Sequence, residues 1–225
     1  MCSKCVVTRV KTSPLLFTFF VVISIFYHFP HYILCSELLF FASGLKYSIM
    51  PKVFTRKLEQ RDIAPLSKSF IGTPWERRGT DHFKNLLQSQ LDSERIVLVG
   101  LIDSTPVGHV SILWKSKYTP FQVSNIPEIN DLTVAPSSRR LGVATSLLDH
   151  AENIVGEKYS SVGIGFGLHE GYGNAQYLYV KRGYLPDRKG VVLNDRVVSE
   201  GESIRLDDEP AIYLTKRLSQ TKNLL

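Results

Sequence analysis

Beyond Cys35 the chain has no cysteine: its only three are Cys2, Cys5 and Cys35, in a sequence of 225 residues. For everything downstream this excludes a disulfide framework, a thiolate zinc site and a cysteine nucleophile. Cys2-Ser3-Lys4-Cys5 has CxxC spacing, but no second pair or neighbouring histidine completes a metal site, and it reads as solvated tail. An excess of one charge sign is also missing from most of the chain. The formal charge of +6 divides between residues 1–49, with four basic residues against one acid, and the remaining 176, with 23 against 20. That body is too mildly basic for a dedicated nucleic-acid binder. Two nucleotide signatures are absent as well. There is no GxxxxGKS/T, and Gly163, Gly165 and Gly167 have the wrong spacing for GxGxxG and fall inside a strand-like run. With 44% apolar and 21% charged residues, wholesale disorder and collagen-like structure are excluded. No internal repeat or low-complexity segment is present.

Residues 1–49 are a different material. Between Lys11 and Glu37 there is no formal charge, and Leu15–Tyr27 is nearly pure hydrocarbon. Three readings stay open. Leu15–Cys35 has about the 20 apolar residues a membrane anchor needs, although two histidines and Pro30 interrupt it. Lys4, Arg9 and Lys11 suit a signal peptide, although the apolar stretch exceeds the roughly 7–15 residues of an h-region. Alternatively Met50 is the true start. With an anchor, the basic residues that follow it favour a cytosolic body. With Met50 as the start, the expectation is a cytoplasmic protein with no membrane contact.

From residue 50 onward, strand and helix patterns alternate. Lys52–Leu58 reads as a strand, and Asp62 to Phe70 as a helical stretch. Asp81 is placed to cap a helix with Phe83, Leu86, Leu87 and Leu91 on one face. Ile96–Asp103 and Val107–Lys115 form a hairpin around Ser104-Thr105-Pro106, with His109 structural or partly exposed. Tyr118–Pro127 reads as loop and Glu128–Val134 as strand. A helix starting at Pro136-Ser137-Ser138 buries Leu141, Ala144, Leu148, Ala151 and Val155 and ends at Gly156. Ser161–Leu168 is strand-like, Ala175–Arg182 helical up to Gly183, and Ala211–Lys216 a final strand. This order implies one mixed α/β layer fold.

The most informative stretch runs from Asp131 to Ala144. A strand ends, a loop carries Arg139 and Arg140, and Gly142 opens a helix. The first N–H groups of a helix lack internal partners and sit at the positive end of its dipole. Small residues there let a phosphate reach the backbone, so this is a pyrophosphate site by construction. The pattern Arg139-x-x-Gly142-x-Ala144 after a strand resembles the acyl-CoA loop of the GNAT superfamily of N-acetyltransferases. The segment Ala175-Gln-Tyr-Leu-Tyr-Val-Lys-Arg-Gly-Tyr184 is similar to that family's late helix. Together the resemblance spans residues 53–217.

The resemblance implies a twisted, mostly antiparallel mixed sheet flanked by helices, α/β in class, whose strands Glu128–Val134 and Ser161–Leu168 splay apart around acetyl-CoA. It implies that Leu132, Thr133 and Val134 pair with the pantetheine arm. The pyrophosphate would lie on Arg139, Arg140, Leu141, Gly142, Val143, Ala144 and Thr145. It implies direct acetyl transfer to an amine, with Tyr179 as acid, Glu128 as base and Asp131 as reserve base. No metal is called for. Where many members place an asparagine, this chain has Tyr172; Asn174 is near but offset. His169 and Glu170 are candidate substrate contacts, and Trp75–Arg78 lies where the family builds its acceptor pocket. Glu128, Asp131 and Glu170 hint at a cationic acceptor, a small molecule or a protein amine. A donor with a longer acyl chain, and a non-catalytic acyl-CoA sensor, are the competing readings. A homodimer stays open.

Overall fold

The computed structural model describes residues 51–219. The three readings of residues 1–49 lie outside them, and among the described residues no helix is long and apolar enough to cross a membrane. The first half of the chain builds an antiparallel meander. Strand β1 (Val53–Lys57) pairs with β2 (Arg95–Ile102), β2 with β3 (Thr105–Leu113), and β3 with β4 (Glu128–Val134). Between β1 and β2 lie a 3-10 turn (Gln60–Asp62), α1 (Ile63–Ser69) and α2 (Thr80–Leu91). A short helix, α3 (Thr119–Val123), precedes β4 within the segment read as loop; Pro120 in its first turn fits a helix start.

The second half crosses over. Helix α4 (Val143–Gly156) carries the chain to β5 (Ser161–Gly167), which lies parallel to β4. Helix α5 (Gly173–Lys181) follows, then the two-residue strands β6 (Leu185–Pro186), β7 (Val192–Leu193) and β8 (Arg196–Val197). Strand β9 (Ala211–Arg217) pairs antiparallel with β5 along its whole length. The result is a nine-stranded, mostly antiparallel open sheet in the order β1-β2-β3-β4-β5-β9-β7-β8, with β6 also on β9. The turn between β7 and β8 has positive φ at both Asn194 and Asp195, the two-residue hairpin geometry that Asx residues tolerate.

Both faces are covered. Helices α4 and α5 pack Val143, Leu147, Leu148, Ala151, Val155 and Tyr179 onto Leu98, Val110, Ile112, Ile129, Ile164 and Leu214. On the other face α1 and α2 pack Ile63, Leu66, Phe70, Phe83 and Leu86 against Val97, Val99 and Leu101. This is why β3 is buried on both sides instead of alternating, and why His109 is fully buried rather than partly exposed. Three details depart from the sequence reading. Gly79, not Asp81, precedes α2; Asp81 sits in its first turn beside Lys84 at 3.3 Å. Leu91 is 69% exposed at the frayed end of that helix. The helix expected from Pro136 is a 3-10 turn that breaks at Arg139, and α4 begins only at Val143.

Beneath α4, Glu152 joins three elements. Its carboxylate accepts from Arg182 Nε at 3.0 Å and Nη2 at 2.9 Å, from Lys216 Nζ at 2.6 Å and from Tyr184 Oη at 3.1 Å. Burial alone would raise this carboxyl, but the bonds from Arg182 and Lys216 outweigh it and hold the group below its ordinary value. A depressed carboxyl adds stability above its unfolded-state value and loses it as pH falls. Glu152→Ala leaves Lys216 without its carboxylate and Arg182 with only Asp149, at 2.6 Å, and is expected to cost about 2–4 kcal/mol in urea denaturation at neutral pH. The gap should narrow as pH falls below roughly 4, where the unfolded-state carboxylate takes up its proton, and close at the lower pH where the folded one is protonated as well.

Candidate active site

The two central strands part because of one extra residue. On β3 His109 faces Thr133 and Ser111 faces Asn130, so Val110 alone opposes both Asp131 and Leu132. Asp131 takes φ +55° to accommodate this bulge. Strands β4 and β5 pair only at Glu128–Gly163 and Ile129–Ile164. Beyond Ile129, the edge of β4 that faces β5 has no ladder partner. A cleft of about 1160 Å³ opens there, walled by Leu132, Thr133 and Val134 on one side and Gly165, Phe166 and Gly167 on the other.

At one end the cleft reaches the start of α4. Gly142 has φ +84°, which an L side chain adopts only with strain, and a Cβ built there would meet nothing within 4 Å. The first intrahelical bond runs from Ser146 N to Gly142 O at 2.9 Å, so the amides ahead of it have no helical partner. No side chain caps this end and no acid lies in its first turn. Arg139, Arg140, Gly142, Val143, Ala144 and Thr145 all line the cleft, as do Asn174 and Tyr179. Leu141 does not contribute to the wall. Arg139 is partly committed elsewhere: its guanidinium lies 4.5 Å from the Trp75 ring centre and Nε donates to Val134 O at 3.3 Å.

The sequence and the fold can be compared with known proteins. The family model described as "Acetyltransferase (GNAT) family" matches residues 61–184, more than half of the chain. The chain belongs to the GNAT acetyltransferase family. Solved GNAT-fold structures agree at low identity. An N-acetyltransferase from Staphylococcus aureus is 14% identical, with TM-score 0.55 over 75% of this chain and 99% of that one. Ard1 from Thermoplasma volcanium is 17% identical, with TM-score 0.54 over 74% and 98%. An aminoglycoside 6′-N-acetyltransferase solved with coenzyme A is 18% identical, with TM-score 0.51 over 73% and 96%. No curated protein matches the sequence.

In this GNAT chain the ionisable candidates have separate environments. Glu128 is 4% exposed; Ser116 Oγ and Asn130 Nδ2 donate to it, the latter at 2.8 Å. Burial raises its carboxyl, against the smaller pull of those two bonds and of Lys117. Asp131 behaves oppositely. Burial pushes its carboxyl up, but His109, His82 and Arg78 together hold it far below the carboxylate range. Arg78 lies at 2.5 Å, His109 Nε2 at 3.1 Å and His82 Nε2 at 3.2 Å. A group so firmly ionised is a poor proton acceptor, which counts against Asp131 as reserve base. His109 is kept neutral chiefly by burial, against the pull of Asp131. It therefore donates from Nε2, which leaves its Nδ1 without a partner. His82, His109 and Asp131 place ligand atoms within 4.8 Å of one another, a set that could hold a metal ion. The Arg78 guanidinium already occupies that carboxylate, and its charge opposes a second cation there.

Tyr179 is 4% exposed and lines the cleft from α5, its hydroxyl kept protonated above the ordinary range first by burial. Sequence reasoning missed His82, Arg95, Asp208 and Tyr213, which all line the cleft. Asp208 accepts from Arg77, from Tyr172 Oη at 3.1 Å and from His169 Nε2 at 3.0 Å, so it ties three loops together. Its carboxyl is held at about 2, first by Arg77 and then by His169. His169 lines the cleft but Glu170 does not. With the Asp131 charge paired to Arg78 and Glu170 off the wall, the acidic trio that hinted at a cationic acceptor is not a trio in space.

Proposed function

We propose that this chain transfers an acetyl group from acetyl-CoA to an amine. The observation that carries the reading is one continuous cleft. It joins the unpaired edge of β4, the uncapped start of α4, and the side chains of Glu128 and Tyr179. The unpaired β4 backbone supplies donors and acceptors for the amide-bearing pantetheine arm. The open amides of α4 and Arg140 suit a pyrophosphate.

The reacting amine loses its proton to Glu128, directly or through water. Desolvation raises that carboxyl above its ordinary value, which makes it a stronger proton acceptor. The amine nitrogen forms a bond to the thioester carbon, the carbon–sulfur bond breaks, Tyr179 donates its proton to the departing thiolate, and the second proton leaving the nitrogen returns to the Tyr179 oxygen. Asp131 stays ionised and holds Arg78 and the two histidines in place.

Tyr179→Phe is expected to lower kcat roughly 10- to 100-fold with acetyl-CoA affinity nearly unchanged, since only the hydroxyl is removed. Stopped-flow turnover and calorimetry separate the two effects. Unchanged turnover with chemistry rate-limiting removes Tyr179 as the acid. Acetyl-CoA binding without turnover on any amine points instead to a non-catalytic acyl-CoA sensor. Preference for a longer acyl-CoA in the same assay changes the donor and leaves the roles of Glu128 and Tyr179 as they are.

A further inference from the structure

At the acceptor end of the cleft, Arg95 stands out because it is uncommitted. The neighbouring arginines are engaged: Arg77 on Asp208, Arg78 on Asp131 and Thr133, Arg139 on Trp75 and Val134 O. Among the described residues Arg95 has no ion pair, and its Nε is buried with no hydrogen-bond partner. A buried guanidinium nitrogen without an acceptor is costly, so such a group in a native fold calls for an explanation.

Strand register says where it points. Arg95 pairs with Leu113 and Leu113 with Glu128. Directly paired residues project from the same face of a sheet, so Arg95 and Glu128 share a face, two strands apart, or roughly 10 Å between Cα atoms. Both line the cleft. They do not meet, because Glu128 is turned toward Ser116 and Asn130. The next position in the row, Gly163, has no side chain, and Phe121 fills its place: a Cβ there would fall 2.1 Å from that ring. The row therefore offers a proton acceptor at one point and an unpaired planar cation at another, with only Leu113 between.

We infer that Arg95 receives a carboxylate of the acceptor, so that the acceptor is an amino acid-like molecule bearing its amine toward Glu128 and its carboxylate toward β2. The inference rests on the acetyl-transfer reading for the identity of the amine end. A guanidinium fork matches the two oxygens of a carboxylate, which would meet the Arg95 N–H groups that face the cleft.

The test uses the full chain saturated with CoA and compares matched ligand pairs by calorimetry. The pairs are β-alanine with ethylamine, γ-aminobutyrate with propylamine, and δ-aminovalerate with butylamine. At least one carboxylated member should bind roughly tenfold or more tightly than its partner. In Arg95→Gln that ratio should fall to about one, and in Arg95→Lys part of it should return. Equal affinity within every pair, no binding of any carboxylated member, or a ratio unchanged in Arg95→Gln each overturns the assignment. So does tighter binding of the phosphonate counterpart of the best carboxylate. The wild-type comparison needs no variant to fold, and CoA affinity of the variants checks theirs. Selective binding without acetyl transfer defeats the transferase reading and leaves the carboxylate subsite standing. Acetyl transfer without carboxylate preference does the reverse.

Discussion

Gly142→Asp is expected to abolish acetyl-CoA binding, with an affinity loss of at least about 100-fold by calorimetry. Two costs combine. The backbone at φ +84° penalises any side chain, by roughly 1–2 kcal/mol. The new carboxylate would also stand in the open space beside the free amides of α4, where a pyrophosphate must sit and where like charge repels it. Gly142→Ala separates these contributions, since it carries the backbone strain without the charge and should lose only about tenfold. Micromolar binding retained by the aspartate variant, with its fold intact by circular dichroism, would sink the assignment of this loop.

Glu128→Gln should lower turnover by about 10²- to 10⁴-fold near neutral pH, the range for a removed general base. The sign of the pH dependence follows from the raised carboxyl. The base works only when ionised, so wild-type activity should climb as pH passes a value above the ordinary glutamate range. In the glutamine variant that limb should vanish. Its deficit should then shrink toward the pKa of the acceptor amine, where the amine no longer needs a base. A glutamine variant whose profile keeps the wild-type limb would show that the limb belongs to another group. Glutamine preserves the shape that Ser116 and Asn130 hold, so acetyl-CoA affinity should change little.

What was legible in the sequence is what local chemistry writes there. Gly142 after a strand and before a helix, and the late-helix segment ending at Gly183 and Tyr184, identified the cradle, the helix and the family. Gly183 does stop α5, at φ +87°. The two-sided burial of β3 was not legible. Alternation of Val110, Ile112 and Trp114 with His109 and Ser111 reads as a half-exposed strand, and only packing of α1 and α2 onto the second face buries the polar set. The hub on Asp131 was hidden for a related reason. Arg78, His82 and His109 come from a loop, a helix and a neighbouring strand, and no spacing rule connects them. Arg95 carried one faint signal, a charged residue opening an otherwise apolar run from Ile96 to Leu101. Asp208 carried none, because its partners Arg77, His169 and Tyr172 are all far away along the chain.

Strand β5 has a bare side. A Cβ on Gly165 would fall 3.0 Å from the Tyr213 ring, and one on Gly167 would fall 2.5 Å from the Tyr172 ring. The strand thus lends the cleft no side chains of its own there, and its bore is set by rings borrowed from β9 and from the turn before α5. On the proposed reading, the width of the acceptor's path and the proton-transferring groups sit on different parts of the chain. Exchanging Tyr172 or Tyr213 for smaller residues should then widen that path without altering the β4 backbone proposed to hold the donor, so that a change of acceptor would require no rebuilding of the sheet.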